Sequence, residues 1–509
     1  MRPALIALLV FAAALIPRAW MVAQPIPYQL DRALPDDAYY YFLTAQNIVE
    51  SGSPSVDGIH PSNGWHPLWM AITVAVFTPD YADLDTPVRL AIGIGALCDS
   101  LVAVALYLLL RRLGEAPALL AGLFYALNTM PMLQSVNGLE TGLAALTIAA
   151  AWALTLRLVE KYSADGRVSL VLAAGWGASF GLAFLARTDS ALIVIPLGLY
   201  AAWMLRRQLT PIVIGGAAAA LVIAPWLAIN YAVFGALLEQ SSAGAVPWAA
   251  RARFAVSNPG GSELAHGISV LLGAPYWLRG DYLGTPPLIG FLLWIPGAIG
   301  LFAGLRRVET RRLAAIGLLL TVGGIALLLV HTVVRWYPRP WYFVVTASAL
   351  AIGLALFWNV VRIPLVRLAL IGVGAVGMIV GGLYAIGIGY YPWQSGHQYA
   401  AALWARDNTP PDALLASMNS GVIGYYSGRA TVNMDGVVNP VAFTAIQDRR
   451  MLAYMREIGV TLLIDSDNAV ENEYALFMGA DYPDGLPAIE TITAPYPGLG
   501  VIRVYQVES

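Results

Sequence analysis

The chain has 509 residues, 58% of them apolar and only 12% charged, with a mean hydropathy of +0.66. A soluble domain carries roughly 25% charged residues, so composition excludes an ordinary soluble protein and indicates membrane spans separated by polar loops. The net charge of −2 conceals an asymmetry: residues 389–509 hold six Arg and thirteen Asp or Glu, a net of −7, against +5 for residues 1–388. A basic membrane part therefore carries an acidic, soluble tail. The single cysteine, Cys98, permits neither an intrachain disulfide nor a thiolate metal site. Lys161, the one lysine, follows Glu160 rather than Gly, so a phosphate-binding P-loop is absent. None of the five histidines forms a His-Glu-x-x-His pair, which removes the commonest zinc-hydrolase class.

A bilayer crossing needs about 20 apolar residues, and about eleven stretches qualify. They are approximately 4–23, 88–110, 116–134, 140–157, 169–187, 190–205, 210–231, 287–305, 313–334, 342–361 and 365–388. With a cytoplasmic N-terminus, Arg2 and the short inside loops hold 14 of the 23 basic residues of this part, as the positive-inside rule asks. Residues 1–23 have the length of a secretory signal, but Arg18 interrupts them and no Ala-x-Ala site follows cleanly, so they read as the first span. Residues 66–78 are too short to cross and read as an interfacial or re-entrant helix. Asp99 lies deep in the second span and must face a partner, most plainly a hydrogen bond to Asn128, since no second deep acid completes a proton relay. Gly177-Ala178-Ser179-Phe180-Gly181 matches a nucleophile elbow, but it lies mid-span, where small residues four apart are helix-packing contacts.

This topology puts loops 24–87 and 232–286 and the tail from about residue 389 outside the plasma membrane. The inside loops are too short to fold a nucleotide-binding domain. Strand-like runs at 413–418, 460–465 and 501–507 alternate with helix-like runs at 398–406 and 448–458, so the tail reads as a small α/β domain. The organisation expected is therefore a membrane domain, 1–388, and an exoplasmic domain, 389–509.

The chemistry-bearing residues gather at the outer ends of the spans. Asp36-Asp37 precedes Tyr39, Tyr40 and Tyr41. One of the pair can be a helix cap, but adjacent acids repel, which separates their pKa values and leaves one poised for acid–base work beside aromatic faces that suit a sugar. Trp65 and His66 follow in the same loop. Glu140 and Asp189 each begin a helix, so capping explains them as well as binding does. Arg187 can snorkel to headgroups or hold a phosphate, and His331, Arg335 and Arg339 share one aromatic-rich turn.

Asp57-Gly58-x-x-Pro61-x-Asn63-Gly64-Trp65-His66-Pro67-Leu68-Trp69, Gly138-Leu139-Glu140-Thr141, Arg187-Thr188-Asp189, Arg335-Trp336-Tyr337, Gly424-Tyr425-Tyr426-Ser427-Gly428-Arg429 and Met434-Asp435-Gly436 follow the acidic pair in order. This pattern resembles the GT-C fold glycosyltransferases: protein O-mannosyltransferases, lipid A aminoarabinose transferases and mycobacterial arabinofuranosyltransferases. The resemblance implies an inverting hexosyl or pentosyl transfer from a polyprenyl-phosphate sugar to a hydroxyl of a glycan, lipid or protein, in glycan or cell-wall biosynthesis. Its first-loop acid corresponds to Asp36 or Asp37. The expected roles are Asp36 as base, Asp37 as orienting group, Arg187, Arg335 and Arg339 on the donor phosphate, and Tyr40, Trp65, His66, Glu140, Asp189 and His331 around the substrate. No cofactor is required; a divalent metal on Asp36 and Asp37 is compatible with the residues, although too few other ligands are visible. A transporter or flippase would need ionisable groups at the midplane and symmetric halves, and a non-catalytic glycan binder would make the first-loop acids dispensable.

Overall fold

In the computed structural model, which describes residues 3–238, 241–273, 287–336 and 338–508, the chain is a helical bundle followed by a sheet-bearing tail. Parts of the loop at 232–286, and Tyr337, lie outside the described residues. The bundle helices are α1 (Pro3–Val22), α2 (Ile26–Arg32), α3 (Asp36–Ser51), α4 (Pro67–Phe77), α5 (Asp85–Leu110), α6 (Glu115–Leu127), α7 (Thr129–Gln134), α8 (Thr141–Asp165) and α9 (Leu170–Ala186). They continue with α10 (Ala191–Met204), α11 (Leu209–Phe234), α12 (Ser241–Ser257), α13 (Glu263–Gly273), α14 (Pro287–Leu305), α15 (Arg311–Val334), α16 (Val344–Val360) and α17 (Pro364–Gly387). Among the described residues, seven helices are long and apolar enough to cross a membrane: α1, α5, α8, α11, α15, α16 and α17. The other four expected spans coincide with shorter apolar helices, α6, α9, α10 and α14. The stretch expected as 116–134 is broken at Asn128, whose side chain caps α7 by accepting the Met130 N–H at 3.0 Å. Pro131 explains the break, because a continuous helix would need the N–H that it lacks. The run at 66–78 forms the 11-residue α4, about 16 Å at 1.5 Å per residue and too short to cross.

Packing settles two polar features. Added side chains at Gly177 and Gly181 would collide with Gly215 and Val222, at 1.8 and 2.7 Å. The elbow-like motif is therefore the seam along which α9 and α11 meet. Asp99 does not bond to Asn128; its partner is Arg18. Arg18 Nη2 and Nε donate to Asp99 Oδ2 at 2.6 and 3.1 Å, and Tyr125 donates its hydroxyl to Oδ1 at 2.6 Å. Nη1 donates to Ala14 O and Ala126 O, and the Nε hydrogen is shared between Asp99 and Ser135 Oγ. Both ions are almost wholly buried, so each offsets part of the other's desolvation cost and neither could be left alone there. The residue that interrupts the first apolar stretch is thus its polar anchor.

The tail holds five strands, β1 (Leu415–Ser417), β2 (Thr431–Asn433), β3 (Leu462–Ser466), β4 (Ala488–Thr491) and β5 (Ile502–Gln506), in the order β2-β1-β3-β5-β4. The first three in that order run parallel, and β5 and β4 are antiparallel additions. Helix α18 (Ala400–Asn408) precedes β1, and α19 (Ser420–Ser427) crosses from β1 to β2. The two strands that the sequence does not announce are the three-residue β2 and the fully exposed edge strand β4.

Arg18→Met should leave an uncompensated buried carboxylate and cost about 3–5 kcal/mol, whereas Arg18→Met with Asp99→Leu should recover most of it. Thermal unfolding in detergent reads this directly, and equal melting of the single and double variants would refute the pairing.

Candidate active site

The site is built on α3. Pro35 precedes it, and Gly52 ends it in a left-handed turn (φ 75°) with its N–H on Ile48 O. A helix turns 100° per residue, so adjacent side chains diverge while i, i+3, i+4 and i+7 share a face. Asp37, Tyr40, Tyr41 and Thr44 occupy one face and line a cavity of about 300 Å³. Asp36 and Tyr39 occupy the other and meet the tail.

The buried carboxylate of Asp36 accepts the Gly421 and Val422 N–H groups at 3.1 and 2.7 Å. It sits on the N-terminus of α19, where orphan donors and the helix dipole favour an anion. Gly421 is required by proximity: a Cβ there would lie 2.4 Å from the Asp36 carbonyl oxygen. Beside it the Tyr39 and Tyr426 hydroxyls meet at 3.3 Å, and Tyr425 donates to Leu84 O at 2.7 Å. Asn433 in β2 donates to the Tyr40 hydroxyl at 3.3 Å. Val437 and Val438 from the tail form one cavity wall.

The floor comes from the bundle. Arg187, at the C-terminus of α9, donates from Nε and Nη2 to the two Asp189 oxygens at 3.0 and 2.6 Å, and from Nη1 to Glu140. Its guanidinium lies 4.6 Å from the centre of the Tyr342 ring. The buried arginine is therefore held by two carboxylates and an aromatic face. His66 has Nε2 3.8 Å from Glu140, and its Nδ1 lies 3.5 Å from the Thr188 N–H. His331 Nδ1 bonds to Leu327 O at 2.8 Å, and its ring packs 4.3 Å from that of Tyr342. Trp65 packs against Trp226 at 4.8 Å.

Of the eleven residues expected at the site, eight line this cavity: Asp37, Tyr40, Trp65, His66, Glu140, Arg187, Asp189 and His331. Three are not among its lining. Asp36 faces α19; Arg335 turns to the backbone and carboxylate of Glu263 in α13; Arg339 lies 5.9 Å from the Trp341 ring and acts on Asp37 electrostatically. Sequence reasoning left out Asp435, which interacts with both Asp36 and Asp37; the Met434-Asp435-Gly436 motif was its only signal.

Burial lifts the Asp36 carboxyl to about 7 against the opposing Val422 N–H bond, and the neighbouring Asp37 adds to the rise. Asp37 is open to the cavity yet enclosed by protein, and this enclosure raises its pKa; Arg339 opposes the rise and Glu140 reinforces it. Asp435 is lifted to about 8, again chiefly by burial, with Asp37 and Asp36 contributing. Among the described residues no three His, Cys, Asp or Glu side chains converge to hold a metal ion.

The sequence profile of the dolichyl-phosphate-mannose-protein mannosyltransferases matches residues 66–229, and that of a domain of unknown function matches residues 388–505. The first match supplies His66, Glu140, Arg187 and Asp189 to the floor. No curated protein matches the chain. Among solved structures, the Archaeoglobus fulgidus oligosaccharyltransferase tethered to an acceptor peptide aligns at 14% identity and a TM-score of 0.59, over 99% of this chain and 74% of that one. ArnT from Cupriavidus metallidurans, bound to undecaprenyl phosphate, aligns at 14% identity and a TM-score of 0.58, over 99% of this chain and 97% of that one. The chain has the GT-C fold. At such identity the likeness is one of fold, and in this GT-C chain the acids of α3 lie just ahead of the matched mannosyltransferase segment.

Gly421→Ala should force α19 off α3 and cost about 1–3 kcal/mol by overpacking, read as a lower melting temperature and faster proteolytic release of the tail. Asp36 and Asp435 hold protons in the folded protein that the unfolded chain loses near 3.8. Their stabilisation is thus complete below about pH 4 and fades as pH rises through about 7 and about 8. Melting should be lower at pH 8.5 than at pH 5.5, and Asp435→Asn should flatten that dependence; an unchanged slope would contradict the assignment.

Proposed function

We propose that this protein is an inverting glycosyltransferase that moves a sugar from a polyprenyl-phosphate carrier to a hydroxyl of a glycan, lipid or protein on the exoplasmic face. The observation that carries this reading is a carboxylate, Asp37, open to a cavity of about 300 Å³ walled by Tyr40, Tyr41, Trp65, Trp341 and Tyr342. That volume is at the lower end of ligand pockets, and aromatic faces suit the apolar face of a sugar ring. The mannosyltransferase profile over α4–α11 supports the reaction class. Undecaprenyl phosphate in ArnT supports a lipid-linked donor, and the peptide tethered to the archaeal oligosaccharyltransferase supports protein among the acceptor classes. The positive-inside bias supports a cytoplasmic N-terminus and an exoplasmic tail. Residues 1–388 then act as the transferase domain and 389–509 as an exoplasmic domain that closes the site.

Asp37 is the better base, and Asp36 the residue that seats α3, because the Asp36 oxygens are engaged by α19. Asp37 takes the acceptor hydroxyl proton, the hydroxyl oxygen bonds to the anomeric carbon from the face opposite the carrier, and the carrier phosphate departs with the bonding pair. Tyr40, Trp65, His66, Glu140, Asp189 and His331 border the sugar. Arg187 fixes the positions of Glu140 and Asp189 rather than meeting phosphate, since both carboxylates already hold it. The pairing of Asp99 with Arg18 argues against the transporter reading, for which that acid was the one deep candidate.

In proteoliposomes with a radiolabelled polyprenyl-phosphate sugar, transfer to an acceptor is expected; movement across the bilayer or retention without turnover would contradict the proposal. Asp37→Asn should lower transfer by roughly 10²–10⁴ with folding retained, and Asp36→Asn should lower it less. Arg339→Gln removes the cation that opposes the raised pKa of Asp37, so the acid limb of the rate profile should move to higher pH.

A further inference from the structure

The hydroxyl of a threonine inside a helix commonly bonds back to the carbonyl one turn earlier. Thr73, Thr147 and Thr155 do so, onto Trp69 O, Leu143 O and Ala151 O at 3.2, 3.1 and 2.8 Å. Thr44, in the middle of α3, does not. Its Oγ1 is shielded from solvent and has no hydrogen-bond partner, in a residue only 1% exposed. Thr44 nevertheless lines the cavity of about 300 Å³. Among the described residues of that lining, no other side chain holds a buried polar atom without a partner. A hydroxyl in this state bears the full cost of its lost water unless a ligand supplies the missing bond.

Thr44 stands two helical turns after Asp37, about 10 Å along the axis of α3. A rotation of 100° per residue returns the two to one line, with Tyr40 and Tyr41 between them on the same face. Both tyrosines are tethered: Asn433 donates to the Tyr40 hydroxyl at 3.3 Å, and the His66 N–H donates to that of Tyr41 at 2.9 Å. Their rings therefore stand as fixed surfaces. Elsewhere around the cavity polar groups are already paired, Arg187 with Glu140 and Asp189, His331 with Leu327 O, and the Trp65 indole with Ser62 O. Val437 and Val438 add aliphatic side chains. Along α3, hydrogen-bonding capacity is thus left at the two ends of the stripe, in the exposed Asp37 carboxyl and the Thr44 hydroxyl, with aromatic rings between.

We propose that Thr44 is a specificity-determining residue for the acceptor, and that the acceptor is a saccharide: one ring lies along α3, with its reacting hydroxyl on Asp37 and a hydroxyl across the ring on Thr44. Two hydrogen bonds of about 2.8 Å at the ends of a stripe of about 10 Å leave about 5 Å between the two acceptor oxygens. That is the span across one six-membered sugar ring. A serine or threonine side chain of a protein carries no second hydroxyl at that distance, and neither does a simple lipid alcohol. The ring's C–H face packs on Tyr40 and Tyr41. Because a threonine hydroxyl both donates and accepts, it matches a sugar hydroxyl in either sense. The transfer step rests on the glycosyltransferase reading; the binding of the ring does not.

The test is binding of the methyl α-glycosides of mannose, glucose and galactose, and of their monodeoxy analogues, to the full chain in nanodiscs, read by ligand-observed NMR. At least one parent glycoside should bind, and removal of one of its hydroxyls should weaken it about three- to tenfold. Thr44→Val should bind the parent as weakly as that deoxy analogue and no longer tell the two apart, while Thr44→Ser should keep most of the difference. Without ligand, Thr44→Val should melt at the wild-type temperature or above, because it removes an unpaired hydroxyl; lower melting would mark the hydroxyl as structural and overturn the proposal. Absence of binding by all three parents, or unchanged discrimination in Thr44→Val, would overturn it as well. In the proteoliposome assay Thr44→Val should raise the KM for the glycoside and leave that for the carrier-linked donor unchanged, and a change in the donor KM alone would refute the assignment to the acceptor. If binding depends on Thr44 but no carrier sugar is transferred, the Thr44 site stands and the glycosyltransferase reading fails. If transfer proceeds with the same acceptor KM in wild type and Thr44→Val, the reading stands and the site fails.

Discussion

The geometry of the site depends on one contact: the Asp36 carboxylate on the N-terminus of α19. A carboxyl group that accepts two backbone N–H bonds holds two elements more than 380 residues apart in sequence. It fixes the rotation of α3 about its axis. That rotation decides which of two chemically identical neighbours faces the cavity, because consecutive helical residues point 100° apart. Asp37, Tyr40, Tyr41 and Thr44 then follow as a consequence of helical periodicity.

A second constraint is charge. The floor is acidic and internally satisfied, with Arg187 spread over Asp189, Glu140 and Tyr342. Such a network rigidifies the floor but has little attraction left for an anion.

The sequence made the spans legible because burial in lipid demands long apolar runs, and it made the tail's class legible through the alternation of strand-like and helix-like runs. Eight of eleven expected site residues meet in one cavity because each stands at the tail-side end of a helix or in the loop beside it. The rest turned on long-range pairing, which one chain's pattern does not encode. Arg18 looked like an interruption because its partner, Asp99, is 81 residues away. Asp36 and Asp37 could not be told apart without the position of α19. Arg335 shared a turn with His331 and was expected to share its cavity; its left-handed backbone sends it toward α13 instead.

The cavity is a property of the docked state. Its floor belongs to the bundle and one wall to the tail, through Val437, Val438 and the Asn433–Tyr40 hydrogen bond. The α12 hairpin bridges both: Trp248 packs against Phe443 and Phe477 of the tail, at 6.3 and 5.9 Å, while Arg251 reaches the end of α15. A ligand that touches floor, wall and rim must therefore bind the docked arrangement better than any other, and by linkage it stabilises that arrangement in proportion to the difference. The same contacts explain why an enzyme of lipid-borne sugars would keep a soluble domain at all. Membrane helices can present a floor at the bilayer edge, but a wall facing water has to come from a part of the chain that folds in water.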